Sequence, residues 1–291
     1  MTFSKLSGDE QGVILGQLRN ALEPRLVMYF SSASKELRAL LPPAAQQQLR
    51  TDYEETTALC VKMGMQDCKA LREATEVKWI GKGPSAADLS TLAKLGSVLP
   101  ALEWLTLAEP SGSAGPDGVQ RLAEGLVAGS LPALTGVIIA GMHVGDAGAS
   151  AIATALDRGA LPRLKFLFLG NTAIGDAGLA ALAPALRRRP ALEKLYLFTN
   201  PFGDEGLAAL VAPPPPAAGT PPPPAGGLKN LMSLDLGRTE VTDAGCATLG
   251  AAIESGALPA IEELILDYIP ASDAATEAVY EASPWLYYAM R

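Results

Sequence analysis

Residues 164–178 read LKFLFLGNTAIGDAG, and two features of that stretch set the reading of the whole chain. Leu167 and Leu169 alternate with Phe166 and Phe168. Successive side chains of a strand point to opposite faces, so one pair is core and the other faces away from it. The run then turns through Gly-Asp-Ala-Gly, and the spacing becomes helical: in LAALAPAL, Leu179, Leu182 and Leu186 fall on one face.

The same sentence is written again elsewhere. L-x-x-L-x-L recurs as Leu102, Leu105 and Leu107; Leu134, Val137 and Ile139; Leu164, Leu167 and Leu169; Leu192, Leu195 and Leu197; Leu231, Leu234 and Leu236; and Ile261, Leu264 and Leu266. Successive starts lie 28 to 39 residues apart, and a weaker copy, ATEVKW, begins at Ala74, giving seven units. Five residues after the third apolar position comes Val144, Ile174, Phe202 or Val241. Seven after it stands Asp146, Asp176, Asp204, Asp243 or Asp273, and nine after it Gly148, Gly178, Gly206 or Gly245. Helical runs close at Gly129, Gly159 or Gly256 before Leu-Pro, as C-terminal caps and helix stops do. Each unit is therefore strand, turn, helix, turn. One GDAG could pass for a phosphate or metal loop. Five aspartates at one offset read instead as helix N-caps, worth about 1 kcal/mol each.

Residues 70 to 282 closely resemble leucine-rich repeats of the ribonuclease-inhibitor type. That resemblance implies an α/β fold: a right-handed leucine-rich-repeat solenoid with parallel strands on the concave face and helices on the convex face. A single unit cannot bury its apolar side alone, whereas stacked neighbours share a core. The family's polar residue three positions after the strand is kept as Thr172, Asn200 and Thr239. Met142 replaces it in one unit, whose loop is expected to be less ordered.

The leucines are thus core, and the intervening residues face the concavity: Trp104 and Thr106, Gly136 and Ile138, Phe166 and Phe168, Lys194 and Tyr196, Ser233 and Asp235, Glu263 and Ile265. Ala140, Gly170, Phe198 and Asp267 follow. Adjacent strands lie about 4.8 Å apart, so Phe168 neighbours Tyr196 and Ile138, Phe166 neighbours Lys194, and Phe198 lies beside the empty Gly170. In a chain only 5% aromatic, this concentration reads as a binding patch for a protein partner. Cover by another segment of the chain, or mere strand propensity, would also place aromatics here. Asp235, Glu262, Glu263 and Asp267 make an acidic flank suited to a basic element of the same partner. The residues expected to bind are Trp104, Ile138, Phe166, Phe168, Lys194, Tyr196, Phe198, Asp235, Glu263 and Asp267.

Residues 1–70 lack the repeat and read as an all-α cap with helices over 9–22, 24–41 and 44–63, so the domains are 1–70 and 71–291. VILGQLRNALEPRLVMYFSSASKELRALLP, with Leu15, Leu18, Leu22 and the Glu23-Pro24-Arg25 turn, resembles an F-box, although the usual leading Leu-Pro is missing. That resemblance implies a substrate receptor of a cullin-type ubiquitin ligase, binding the adaptor through residues 1–45. The insertion VAPPPPAAGTPPPPAGG, residues 211–227, lengthens one unit. Its proline runs at 213–224 favour polyproline II and fit SH3, WW or profilin-like modules, or are a tolerated insertion. Residues 283–291 are expected to cover the last repeat with Trp285, Leu286 and Tyr287.

The 291 residues carry a net charge of −8, which argues against a chain whose main work is electrostatic binding of nucleic acid. The one tri-basic run, Arg187–Arg189, reads as a solvated helix end. Three cysteines, Cys60, Cys68 and Cys246, form neither a disulfide framework nor a zinc pattern. With no leader-like start or long apolar run, the expected setting is soluble and intracellular, cytoplasmic or nuclear. The only histidine, His143, falls in a turn, and no nucleophile, P-loop, dinucleotide or metal motif accompanies it. No cofactor and no catalysis are expected. Ran GTPase-activating proteins share this repeat type and act through polar residues of the loops leaving the strands; here those loops are poor in candidates, Lys82 and Arg238 being the main cations, so GTPase activation is the lesser alternative.

Overall fold

The computed structural model describes residues 22, 43–109, 114–211, 228–282 and 287–288. Apart from Leu22, the expected helices over 9–22 and 24–41 and the F-box-like stretch lie outside the described residues, as do the proline runs, Trp285 and Leu286.

The chain opens, in the described part, with α1 (Pro43–Met63) and α2 (Cys68–Glu73). Strand and helix then alternate: β1 (Glu76–Ile80), α3 (Ala86–Lys94), β2 (Trp104–Ala108), α4 (Gly115–Gly125), β3 (Gly136–Ala140), α5 (Gly145–Asp157), β4 (Phe166–Phe168) and α6 (Asp176–Arg187). They continue with β5 (Lys194–Tyr196), α7 (Asp204–Val211), β6 (Ser233–Asp235), α8 (Asp243–Glu254), β7 (Glu263–Ile265), α9 (Asp273–Glu281) and β8 (Tyr287–Tyr288). All eight strands form one parallel sheet in chain order. Each crossover is a helix, as parallel strands require. The weak copy at Ala74 is a full member: Val77 and Trp79 of β1 are buried in the positions of the leucines. Beyond the expected seven units, β8 continues the sheet, pairing Tyr287 with Glu263 and Tyr288 with Leu264.

The second and third apolar residues of every unit are buried against the helices, from Leu105 and Leu107 to Leu264 and Leu266. One apolar core runs the length of the stack, from Leu59 to Val279. Val144, Ile174, Phe202 and Val241, which enter the core from the turns, are completely buried. So are Leu179, Leu182 and Leu186 on the inner face of α6. Helix α1 docks on the first repeat, where Lys62 Nζ donates to Asp88 Oδ2 at 2.5 Å and Lys94 Nζ donates to Glu55 Oε2 at 3.1 Å. Burial pulls the Asp88 carboxyl up, but the bonds from Lys62 and Ser85 outweigh it and hold it below the usual carboxylate value.

The aspartates of the turns do something other than cap their own helices. Asp176, Asp204 and Asp243 are the first residues of their helices and Asp146 the second, and the carboxylates of these four reach into the next unit. Asp146 Oδ1 accepts the Gly175 amide at 2.7 Å. Asp176 Oδ1 accepts the Gly203 and Gly206 amides, both at 2.8 Å. Asp204 accepts the Thr242 amide at 2.8 Å and its hydroxyl at 2.6 Å, and Asp243 accepts the Ser272 amide at 2.6 Å and its hydroxyl at 3.0 Å. The carboxylate thus satisfies an otherwise unpaired amide at the start of the neighbouring helix, where negative charge is also favoured. The glycine of the motif makes room for it. A Cβ at Gly178, Gly206 or Gly245 would lie 2.5, 2.8 or 2.3 Å from Oδ1 of the preceding unit's aspartate.

A second set of ties lies under the loops leaving the strands. Buried Asn200 accepts from the Thr172 and Ile174 amides at 3.2 and 3.0 Å and donates to the Leu169 and Leu197 carbonyls at 2.7 Å each. Thr172 and Thr239 each donate to the carbonyl three residues back. The Met142 loop is not left loose by its apolar substitute. Met142 is buried in the core, and the Val144 and Gly145 amides donate to the Thr172 carbonyl.

The tri-arginine run is likewise more than a solvated end. Arg187 donates to the Ala209 and Leu210 carbonyls at the end of α7, and Arg189 to the Leu156 carbonyl at the end of α5. Arg188 makes a forked bond to Asp157, 2.7 Å to each oxygen. One helix end thereby clamps the C-terminal carbonyls of both neighbours, where cations are favoured.

Candidate functional site

The sheet register sorts the outward residues into rows. Trp104, Gly136, Phe166, Lys194, Ser233 and Glu263 form one row, and Thr106, Ile138, Phe168, Tyr196, Asp235 and Ile265 the next. Two glycines let the aromatic residues of different strands meet. Trp104 lies across Gly136, where a Cβ would come within 2.2 Å of its ring, and so reaches Phe166 at 5.6 Å between centroids. Phe198 lies across Gly170, where a Cβ would meet its ring at 2.7 Å. Phe198 packs edge-on to Phe168 at 5.2 Å, and Phe166 edge-on to Tyr196 at 5.2 Å. Phe168 contacts Tyr196 at 6.1 Å.

Five rings therefore make one cluster over β2 to β5, with the tilted and edge-to-face geometries that aromatic quadrupoles favour. Trp104 is 37% exposed, and Phe166, Phe168, Tyr196, Phe198 and Ile138 are half-buried. Lys194 is exposed beside them. The structure thus brings together all the expected apolar site residues.

The acidic flank differs from expectation. Asp235 is only 7% exposed, and its Oδ1 accepts the Gly237 amide at 3.0 Å, an Asx-type turn that draws the carboxylate into the backbone. Ser233 and Ile265 are buried as well. The accessible acids are Glu262, which is exposed, and the half-buried Glu263 and Asp267. The Ser233 hydroxyl lies 2.6 Å from Glu263 Oε2 and 3.3 Å from Tyr196 Oη. A carboxylate only accepts, so Ser233 donates to Glu263 and its lone pair faces the phenol, which ties the aromatic cluster to the acidic flank.

Sequence reading missed the rim. Two residues after the third apolar position the backbone is left-handed in unit after unit: Gly81 and Gly141, then Asn171, Thr199, Arg238 and Tyr268, the last four with φ of 55°, 55°, 56° and 57°. Non-glycine residues there are uncommon and strained. Tyr268 is 77% exposed, and the Arg238 guanidinium stacks over its ring at 4.9 Å. The signal was present in the alignment of units, where glycine occupies the same place in two of them.

His143 is an exposed turn residue. Cys60, Cys68 and Cys246 are buried and unpaired. Burial, and secondarily Cys68, pushes the Cys60 thiol up to about 12, and burial pushes Cys246 to about 11. Among the described residues, no group of three His, Cys, Asp or Glu side chains could hold a metal ion, and no helix is long and apolar enough to cross a membrane.

Two stretches, 190–211 and 227–250, match the Leucine Rich repeat family, and these are the units around β5 to α8. The fold is a leucine-rich-repeat solenoid. Solved structures similar to it include internalin C2 of Listeria monocytogenes, 14% identical, covering 79% of this chain and 88% of that one with a TM-score of 0.44. InlP of the same organism is 12% identical over 74% of this chain and 57% of its own, with a TM-score of 0.38. TLR13 in its ssRNA13 complex is 16% identical over 70% of this chain and 34% of its own, with a TM-score of 0.27. No curated protein matches the chain.

Proposed function

We propose that the protein is a non-catalytic interaction module, or scaffold, whose concave sheet face binds a protein partner through the five-ring cluster. One observation carries this reading. The core is closed by the inward residues, so Trp104, Phe166, Phe168, Tyr196 and Phe198 are left on the outer face of the sheet with glycines placed to bring them together. Buried aromatic anchors ringed by polar groups are what dominates protein recognition. Changing Phe168 and Tyr196 together to alanine should abolish capture of the partner while the melting temperature stays close to that of the unaltered chain. Undiminished capture by the folded double variant would refute the reading.

The repeats are further read as being of the ribonuclease-inhibitor type, in keeping with full helices between all the longer strands. An intracellular setting, cytoplasmic or nuclear, suits three unpaired thiols. The F-box-like stretch supports a second reading, that of a ubiquitin-ligase substrate receptor. Deleting residues 1–42 should then abolish recovery of the ligase adaptor and leave capture by the concave face intact.

A further inference from the structure

Beyond Phe198 the concave face does not simply end. Gly237 stands between Phe198 and Asp267 in the row that follows the strands, as the Thr199 amide bonded to the Gly237 carbonyl and the Arg238 amide bonded to the Asp267 carbonyl show. Having no side chain, Gly237 leaves that row open. The result is a pocket of about 340 Å3 with Phe198 on one side, Asp267 and Tyr268 on the other, and Gly237, Asp235 and Ile265 as its floor. Positions two strands apart are separated by roughly 9.6 Å, enough for one flat group between two walls. A Cβ at Gly237 would come within 3.2 Å of the Asp267 carbonyl oxygen and 3.3 Å of Asp235 Oδ1, so the opening depends on glycine.

The charge of the slot selects its occupant. Two carboxylates, Asp235 and Asp267, line the slot together with one guanidinium, that of Arg238, which lies over the exposed Tyr268 ring at the rim. An anion would meet net repulsion. An apolar group would strip water from the half-buried Asp267 without replacing it, which is costly. A guanidinium or ammonium group would lie against the Phe198 face and toward the Asp267 carboxylate, gaining both cation–π and charge-assisted contacts.

We infer that this slot receives the cationic side chain of an arginine or lysine belonging to the protein partner that the aromatic cluster engages. The inference rests on the proposed function for its occupant, but its chemistry is separate. The partner element then carries an apolar or aromatic group over Phe166 and Phe168 and a basic residue two strand spacings away. In polyproline II, residues three apart lie on one side at about 9.3 Å, and the length of the basic side chain covers the rest of the roughly 12 Å diagonal from Phe168, two strand spacings across and two residues along.

The test uses acetyl-Trp-Pro-Pro-Arg-amide and its citrulline counterpart, which keeps the shape and loses the charge, titrated calorimetrically into the full chain. The arginine peptide should bind about tenfold more tightly than the citrulline one. Asp267→Asn should bring that ratio toward one, and Arg238→Ala should raise it by removing a like charge at the rim. Phe168→Ala with Tyr196→Ala should weaken both peptides together and leave the ratio unchanged. Equal binding of the two peptides, or no binding of either at millimolar concentration, overturns the slot. A preserved ratio with no loss of affinity in the ring double variant overturns the aromatic-face reading and leaves the slot standing.

Discussion

Asp176→Ala should destabilise the protein by about 2–3 kcal/mol, well beyond what an acidic residue on a helix edge usually contributes. Its Oδ1 accepts two backbone amides of the next unit, Gly203 and Gly206, each at 2.8 Å and partly buried. A hydrogen bond to a charged group contributes about 1.5–3 kcal/mol, and loss of a cap about 0.5–2 kcal/mol. The two bonds share one acceptor atom, so the sum lies at the low end of those ranges added together. Asp146→Ala serves as the internal comparison. It loses a single exposed bond, to the Gly175 amide, and should cost about 1 kcal/mol.

The partner substitution is Gly206→Ala. Its new Cβ would lie 2.8 Å from Asp176 Oδ1 and 3.2 Å from both Asp176 Cα and Phe202 Cβ, so the carboxylate must move and its bonds weaken. Alone it should cost about 2 kcal/mol. In the Asp176→Ala background the oxygen is gone, and alanine's helix preference of up to about 1 kcal/mol over glycine is recovered. The double variant should therefore be less destabilised than the sum of the singles by about 1–2 kcal/mol. Urea unfolding followed by circular dichroism, with unchanged slope, measures all four species. Strict additivity, or an Asp176→Ala cost no greater than that of Asp146→Ala, would sink the idea that the aspartate couples neighbouring units.

Two further predictions test other parts of the frame. Asn200→Leu removes a buried side chain that serves two amides and two carbonyls, and should cost about 3 kcal/mol or more, read as a lower urea midpoint. The folded protein should give no thiol titre with Ellman's reagent at pH 8, and all three cysteines should react in denaturant, because Cys60 and Cys246 are pushed to about 12 and about 11. Cys60 and Cys246 hold their protons more tightly when folded, so the stability this contributes is full below the ordinary value of 9.0 and is lost as pH rises from there through the folded values of about 11 and about 12.

The fold was legible because burial is written with two periods at once: alternation within each strand and a unit repeat of about 30 residues. Leu167 and Leu169 could be assigned to the core from their position alone, and so could Trp79 in a unit whose other markers had faded. The aromatic rows were legible for the same reason, since parallel pairing in register puts Phe168 beside Tyr196 without further information. What failed were statements about local exposure. Asp235 occupies an outward position, but a short acidic side chain beside glycine can fold back onto the Gly237 amide, and periodicity carries no trace of that choice.

The aspartate and glycine of the turn expose a more general limit. In a repeat, a contact between neighbouring units joins the same two positions of the motif as a contact within one unit. Asp176 with Gly178, and Asp176 with Gly206, are indistinguishable in the pattern of spacings, and the shorter interpretation, a local cap, is the natural one. The structure selects the longer: the oxygen sits where the next unit's glycine lacks a Cβ. The aspartate and the glycine do not occur together at every junction. Asp243 caps Ser272 in a unit that has Ala275 in place of the glycine, while Gly148 has the Val144 side chain, not an aspartate, closest to its missing Cβ.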